Sequence, residues 1–230
     1  MNLKEQIYLR KSCRKYSDDE MDMDLIHDFM SSVKALDDEI SYDYEIFARN
    51  QVNILTRWSA PYYLALYSDK VDGYGENLGF VFQQLSLYLQ SIGIGSCWVG
   101  MASPKSKKSN FVIMISFGKS DDISRDITQF KRKGLGEISD FEDEKLIPAQ
   151  LAPSAINSQP WYFKHSQEGF DVYQAKQNLL KRQVLKRWNP IDMGICLAHL
   201  YVANENSFEF YKKSDFTDIK GHTYTGSIRI

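Results

Sequence analysis

One stretch constrains the fold more than any other. Between Glu76 and Ile92, the residues Leu78, Phe82, Leu85 and Leu89 recur at i, i+4, i+7 and i+11, and Val81 and Tyr88 widen the stripe. That spacing is helical. Apolar residues occupy most faces, so the spacing predicts a central, buried helix that other elements must surround. Gly93 follows at the position where a cap glycine ends a helix. A chain of 230 residues can bury about 70% of its unfolded surface around such a helix, with no need of a disulfide or a metal.

Other elements follow from local signals. Residues 3–13 read as a short helix. Ser17 reads as the N-cap of a second helix with Asp18, Asp19 and Glu20 in its first turn, running through Leu25, Ile26, Phe29, Met30 and Val33. Residues 60–68 and 111–117 are apolar runs that predict buried strands. Residues 73–79 read as a loop, residues 143–152 as a helix, and residues 162–164 with 169–173 as a hairpin. Asn189-Pro190 reads as an N-cap followed by a proline at the first helical position. The helix it opens carries Ile191, Ile195, Ala198, His199 and Val202, and residues 207–213 read as a strand. A charged stretch, Lys119 to Lys145, divides the chain into halves, 1–120 and 121–230. Each half repeats the order basic cluster, helix, aromatic segment, long helix, strand.

Composition narrows the class. The net charge of −2 sets up no field for nucleic acid or an anionic membrane. No run approaches ~18 apolar residues, so no membrane span is expected, and the charged first 14 residues do not read as a signal peptide. Cys13, Cys97 and Cys196 are odd in number and widely spaced, which reads as reduced thiols in a cytoplasmic protein. His27, His165 and His222 are isolated, and His199 reads as a packed core residue, so no metal site is expected.

Three segments could carry chemistry. Arg10-Lys11-Ser12-Cys13-Arg14-Lys15-Tyr16 combines four cations with a hydroxyl and suits a phosphate, or is a solvated basic face. Gly93-Ile94-Gly95-Ser96-Cys97-Trp98-Val99-Gly100 could bring backbone N–H groups close to a flat ligand, or be an apolar connection. It lacks the strand-before, helix-after context of a dinucleotide fingerprint. Pro153-Ser154-Ala155-Ile156-Asn157-Ser158-Gln159-Pro160-Trp161 is a rigid loop of defined shape, or an ordinary helix-to-strand link.

Taken together, these segments resemble the nitroreductase family: an Arg-x-Ser-x-Arg-x-aromatic stretch, a Pro-Ser-x-x-Asn-x-Gln-Pro-Trp loop and a long apolar helix running into Gly-x-Gly-x-Cys-Trp-x-Gly. The order is unusual, because here the Asn-Gln-Pro-Trp loop follows the long helix. The chain resembles a two-halved subgroup, a dimer fused into one chain with a single FMN. The resemblance implies an α+β sandwich with a central, mostly antiparallel sheet flanked by helices. It implies FMN bound by Arg10, Lys11, Ser12 and Arg14 at the phosphate and ribityl chain, or with Arg14 at the O2 side of the ring instead, and with Arg132 and Lys133 completing the phosphate site. Cys97, Trp98, Val99 and Gly100 would run along the ring, Cys97 as a spacer, and Pro153, Ser154, Ala155 and Asn157 would line ring or tail. The flavin carries the redox chemistry, so no catalytic side chain is implied. The implied reaction passes electrons from NADH or NADPH to a small acceptor such as a nitroaromatic or quinone, in a monomer or homodimer. A flavin-holding module without turnover is the alternative, and a thiol or dehalogenating reductase on the same fold is a third reading.

Overall fold

The computed structural model describes residues 2–106, 108–176, 183 and 185–230. The long helix, α3 (Tyr74–Ser91), is almost entirely buried, as its spacing predicts. Ile92 is its C-cap, and Gly93 takes φ 82°, the left-handed conformation of a helix-ending glycine. Around α3 lie α1 (Leu3–Leu9), α2 (Asp24–Met30), α4 (Leu135–Ile138), α5 (Ile147–Leu151) and α6 (Asn189–Ala203).

The strands are β1 (Asp43–Ala48), β2 (Val52–Ile54), β3 (Tyr62–Tyr67), β4 (Ile94–Val99), β5 (Ala102–Pro104), β6 (Phe111–Lys119), β7 (Trp161–Ser166), β8 (Gly169–Ala175), β9 (Glu209–Tyr211) and β10 (His222–Arg229). They form two four-stranded antiparallel sheets, ordered β1-β3-β6-β4 and β7-β8-β10-β9, and a ribbon of β2 with β5. The α+β class is as expected. Each large sheet is built from a strand pair, a long helix and a second strand pair, in the same spatial order. One hydrophobic core joins the two: Leu64 and Ile113 from the first sheet, Phe82 and Leu85 from α3, Met193 and Leu197 from α6, and Phe163 and Val172 from the second sheet.

Tertiary pairing moves several expected boundaries. α1 stops at Leu9 rather than running to residue 13. Arg10 turns extended and bridges Ser124, and Ser12 bridges Ser96 of β4 in parallel. Ser17 caps nothing, because its N–H donates to the Lys119 carbonyl at 2.9 Å; α2 starts at Asp24 behind Met23. Residues 74–79 are helix, not loop. Glycine inside a helix costs about 1 kcal/mol against alanine, but here Gly75 and Gly79 lie against the backbone of α6. Residues 94–99, readable as an apolar connection, form a strand, since β6 offers a full ladder of partners. α6 begins one residue early, with Trp188 at the N-cap and Asn189 already helical. The strands β1, β2, β5 and β10 carry no clear sequence signal and are made by pairing.

Candidate functional site

The basic stretch lies along the edge strand β4. The Cys13 N–H donates to the Ser96 carbonyl at 2.9 Å. Gly95 is what lets the two chains approach: a β-carbon there would meet the Cys13 Cβ and Sγ at 2.7 Å. Tyr16 pins the far end, its hydroxyl donating to the Cys13 carbonyl at 2.6 Å and meeting Ser116 Oγ at 3.0 Å. The Arg-Ser stretch and the Gly-Ser-Cys-Trp strand are therefore neighbours although more than 80 residues separate them in sequence.

The Pro153–Trp161 loop is shaped by three non-glycine residues in the left-handed region, Ile156 (φ 47°), Asn157 (φ 57°) and Gln159 (φ 45°). For a β-branched residue such as Ile156 this is a strained conformation. The loop is held from behind. Gln159 N–H donates to Ser154 Oγ at 2.9 Å, and Asp192 on α6 accepts the Ala155 N–H at 3.0 Å.

A cavity of about 280 Å³ lies where these segments meet. Ser12, Arg14, Cys97, Trp98, Gly100, Pro153, Ser154 and Ala155 all line it, so members of all three segments share one wall. Its volume is near the lower end, ~300 Å³, of ordinary ligand pockets. The residues that sequence reasoning missed are Met101, Ile113 and Ile156 and, from the start of α6 and the turn before it, Leu185, Trp188, Ile191, Asp192 and Ile195. The cue for α6 was the Asn189-Pro190 helix start, which places an acidic residue in the first turn. The Trp188 indole fits because Gly100 has no side chain; a β-carbon there would meet the ring at 2.8 Å.

The other expected site residues lie behind or beside the cavity. Arg10 is buried behind Ser12 and donates to its hydroxyl at 2.9 Å. Lys11 is ion-paired with Asp122 and Val99 is packed in the core, so neither lines the cavity. Arg132 donates to Asn157 Oδ1 at 2.7 Å, so Asn157 positions Arg132. Lys133 holds the loop, its N–H donating to Gln159 Oε1 at 2.8 Å and its Nζ to the Gln159 carbonyl at 2.9 Å.

Electrostatics give the site its character. Burial, then the charges of Arg125, Arg132 and Arg14, bring the Arg10 guanidinium down to about 9. Burial and Arg125 bring Arg132 down to about 10. Arg125 sits at this point because its backbone N–H donates to the Leu9 carbonyl and its Nε to the Arg10 carbonyl. None of Arg10, Arg14, Arg125 or Arg132 forms an ion pair with a carboxylate among the described residues. Arg132 Nε is buried without a hydrogen-bond partner among the described residues. Arg10 is buried, Arg125 and Arg132 are half-buried and Arg14 is exposed; a buried cation is normally paired, so Arg10 and the cations around it fit a bound anion. A larger, open depression of about 860 Å³ lies beside Tyr16, but there Asp19, Glu20, Asp22, Asp121 and Asp122 outnumber Lys15 and Lys119, the wrong balance for a phosphate.

The remaining groups are structural. Burial raises the Cys97 thiol, so it stays protonated. His199 is fully buried; burial, then the charge of Arg10, brings it down to about 3. Neutral His199 meets the Pro148 carbonyl through Nδ1 at 3.0 Å and Gln83 Nε2 through Nε2 at 3.0 Å. Gln83 Oε1 accepts the Trp98 indole N–H at 2.9 Å. This chain fixes the Trp98 ring that walls the cavity. No helix among the described residues is long and apolar enough to cross a membrane.

A fold of two antiparallel sheets around paired helices, with a cavity where the basic stretch, β4 and the 153–161 loop meet, defines a nitroreductase-type oxidoreductase scaffold. Residues 2–204 match the family described as "Putative TM nitroreductase", and the chain belongs to that family. Among solved structures it is similar to a putative nitroreductase from Thermotoga maritima, at 21% identity and a TM-score of 0.65, covering 94% of this chain and 91% of that one. A nitroreductase family protein from Clostridium difficile 630 matches at 17% identity and a TM-score of 0.47, covering 63% of this chain and 99% of that one. A Desulfovibrio desulfuricans protein, solved in complex with FMN, matches at 13% identity and a TM-score of 0.46, covering 62% and 98%. A search of curated proteins returns no match.

Proposed function

We infer that this chain is an FMN-dependent oxidoreductase that carries electrons from NADH or NADPH to a small acceptor such as a nitroaromatic or quinone. The observation that carries the reading is the cluster of Arg10, Arg14, Arg125 and Arg132, without a carboxylate partner among the described residues, beside a cavity walled by all three motif segments. A flavin phosphate supplies the missing negative charge. Arg10, Ser12 and Arg14 would hold it, with Arg125 and Arg132 behind them. Trp98, Gly100 and Trp188 would flank the ring, and Pro153, Ser154 and Ala155 would cover it. When bound, the flavin supplies the two-electron redox chemistry. The protein's part is to bind the phosphate, hold a ring-shaped slot open and keep bulk water from one side of it.

The chain is further proposed to be a fused pair of related halves, 1–120 and 121–230, with one flavin per chain. The common strand order of the two sheets supports this. So does the position matching the flavin cavity in the other half, a 190 Å³ pocket whose charged lining is Asp37, Asp72, Glu76 and Lys212, with no arginine among the described residues. A monomer or a homodimer, working in the cytoplasm on a small-molecule substrate, fits this reading.

The test is an absorption spectrum of the purified protein with added FMN, followed by anaerobic addition of NADH or NADPH. Bleaching of the bound flavin by either donor is the expected result. Bound flavin that neither donor bleaches would leave a flavin-holding module instead. No binding at all would end the reading.

A further inference from the structure

Two aspartates of the described chain are 3% exposed, Asp171 and Asp192, and they differ in their partners. Asp171 is paired with Lys213 Nζ at 2.9 Å and accepts from Ser227 Oγ at 2.7 Å. Asp192 has no cation among the described residues. Its partners are the Ala155 N–H, 3.0 and 3.1 Å from its two oxygens, and the Ser158 hydroxyl at 3.4 Å. One amide and one long hydroxyl contact do not replace the hydration a carboxylate loses on burial, so the group is better off neutral. Burial, opposed by those two hydrogen bonds, pushes Asp192 up to about 8.

Position gives this proton a use. Asp192 lies on the cavity wall with Ser154, Ala155, Trp188 and Ile195. Arg14 is the charged group on the same wall. Cys196, one turn along α6, is a thiol kept protonated by burial and then by Asp192. The 153–159 loop brings no ionisable side chain. Across the helix contact stands Glu76 of α3, itself raised by burial and then by Asp72.

We propose that Asp192 is a proton-exchanging residue of this cavity, giving its carboxyl proton to the electron acceptor as the acceptor is reduced. The proposal rests on the flavin-pocket reading. With a quinone as acceptor, the Asp192 O–H bond breaks and a quinol O–H bond forms. The reduced flavin of the proposed reaction supplies two electrons and the second hydrogen. Asp192 is left as a carboxylate and regains its proton from water.

The test uses Asp192→Asn, which can still accept the Ala155 N–H but carries no acid proton. In flavin-free protein, thermal stability is followed from about pH 6 to about pH 9. Folded wild type holds a proton that the unfolded chain releases, so wild type should lose stability relative to the variant as pH rises. In FMN-loaded protein, quinone reduction by the pre-reduced enzyme should fall above about pH 8 in wild type. The Asn variant should be at least about tenfold slower, with no such limb. Should Asn fail to fold, Asp192→Glu keeps the acid and should keep the alkaline limb. A stability difference that does not change with pH overturns the proposal. So does an FMN-loaded Asn variant with the wild-type rate and profile. A protein that takes no FMN but keeps the pH-dependent difference overturns the flavin pocket, and the acceptor step with it.

Discussion

Gly79 of α3 and Gly194 of α6 occupy each other's helix surface: a β-carbon on Gly79 would overlap the Ile191 carbonyl oxygen, and one on Gly194 the Glu76 carbonyl oxygen. The contact is reciprocal. Residues 115 positions apart exchange roles, 79 with 194, 76 with 191 and 80 with 195. Such self-complementarity is what a two-fold interface between identical subunits would show, and it supports the proposed fusion of two halves. Asn77 and Asp192 stand at the same spacing. Asn77 accepts the Leu36 and Asp37 N–H groups at 2.9 and 3.1 Å, as Asp192 accepts that of Ala155, so each helix start holds the loop before its own sheet.

Gly79→Ala and Gly194→Ala should therefore each destabilise the fold, and by similar amounts. Alanine gains about 1 kcal/mol of helix propensity. The overlap is with backbone, which no rotamer change relieves, so the cost reaches or passes about 3 kcal/mol, the upper end of the usual overpacking range. A net loss of about 2 kcal/mol or more is expected in urea unfolding. Wild-type midpoints would show that the helices can slide apart.

Arg10→Met should separate stability from binding. Removing a buried, unpaired cation relieves repulsion from Arg14, Arg125 and Arg132, so the flavin-free protein should hold or gain stability. FMN binding should weaken by roughly 1.5–3 kcal/mol, the worth of a hydrogen bond to a charged group, and Arg14→Ala should weaken it similarly. Isothermal titration with FMN and a thermal melt together read both signs.

The fold was legible where the signal was local and periodic. The α3 stripe, the apolar runs of β3 and β6, and the β7–β8 hairpin could all be placed from sequence. The cavity was legible only through short motifs. Ser12, Cys97 and Ser154 lie far apart in the chain, and nothing periodic announces that they meet. What stayed hidden was set by long-range packing. Trp188 enters the wall because Gly100 leaves room, and Asp192 becomes a buried carboxyl because α6 docks against the 153–159 loop. Lys11, conspicuous in the basic stretch, is drawn away by Asp122.

His199 should make the protein sensitive to acid. Its folded value of about 3 lies below the ordinary histidine value of 6.5. Between them the unfolded chain binds a proton that the folded chain does not, so stability is present above 6.5 and is lost as pH falls toward 3. The expected slope is about 1.4 kcal/mol per pH unit for this group. His199→Asn, unfolded in parallel at several pH values, should lack that slope; equal slopes would remove His199 as its source.

Ile156 should be replaceable with profit. It is 71% exposed, so it contributes little burial, yet it holds φ 47°. Asparagine tolerates that region far better, so Ile156→Asn should raise stability by about 1 kcal/mol. An unchanged or lower unfolding midpoint would show that the loop is not strained there.

The most direct test of the account is an equilibrium titration of flavin-free protein with FMN, followed by absorbance and flavin fluorescence. Saturation at one FMN per chain, weakened alike by Arg10→Met and Arg14→Ala, is the expected result. Saturation at two per chain, or no saturable binding, would contradict a single flavin held between the basic stretch and the 153–161 loop.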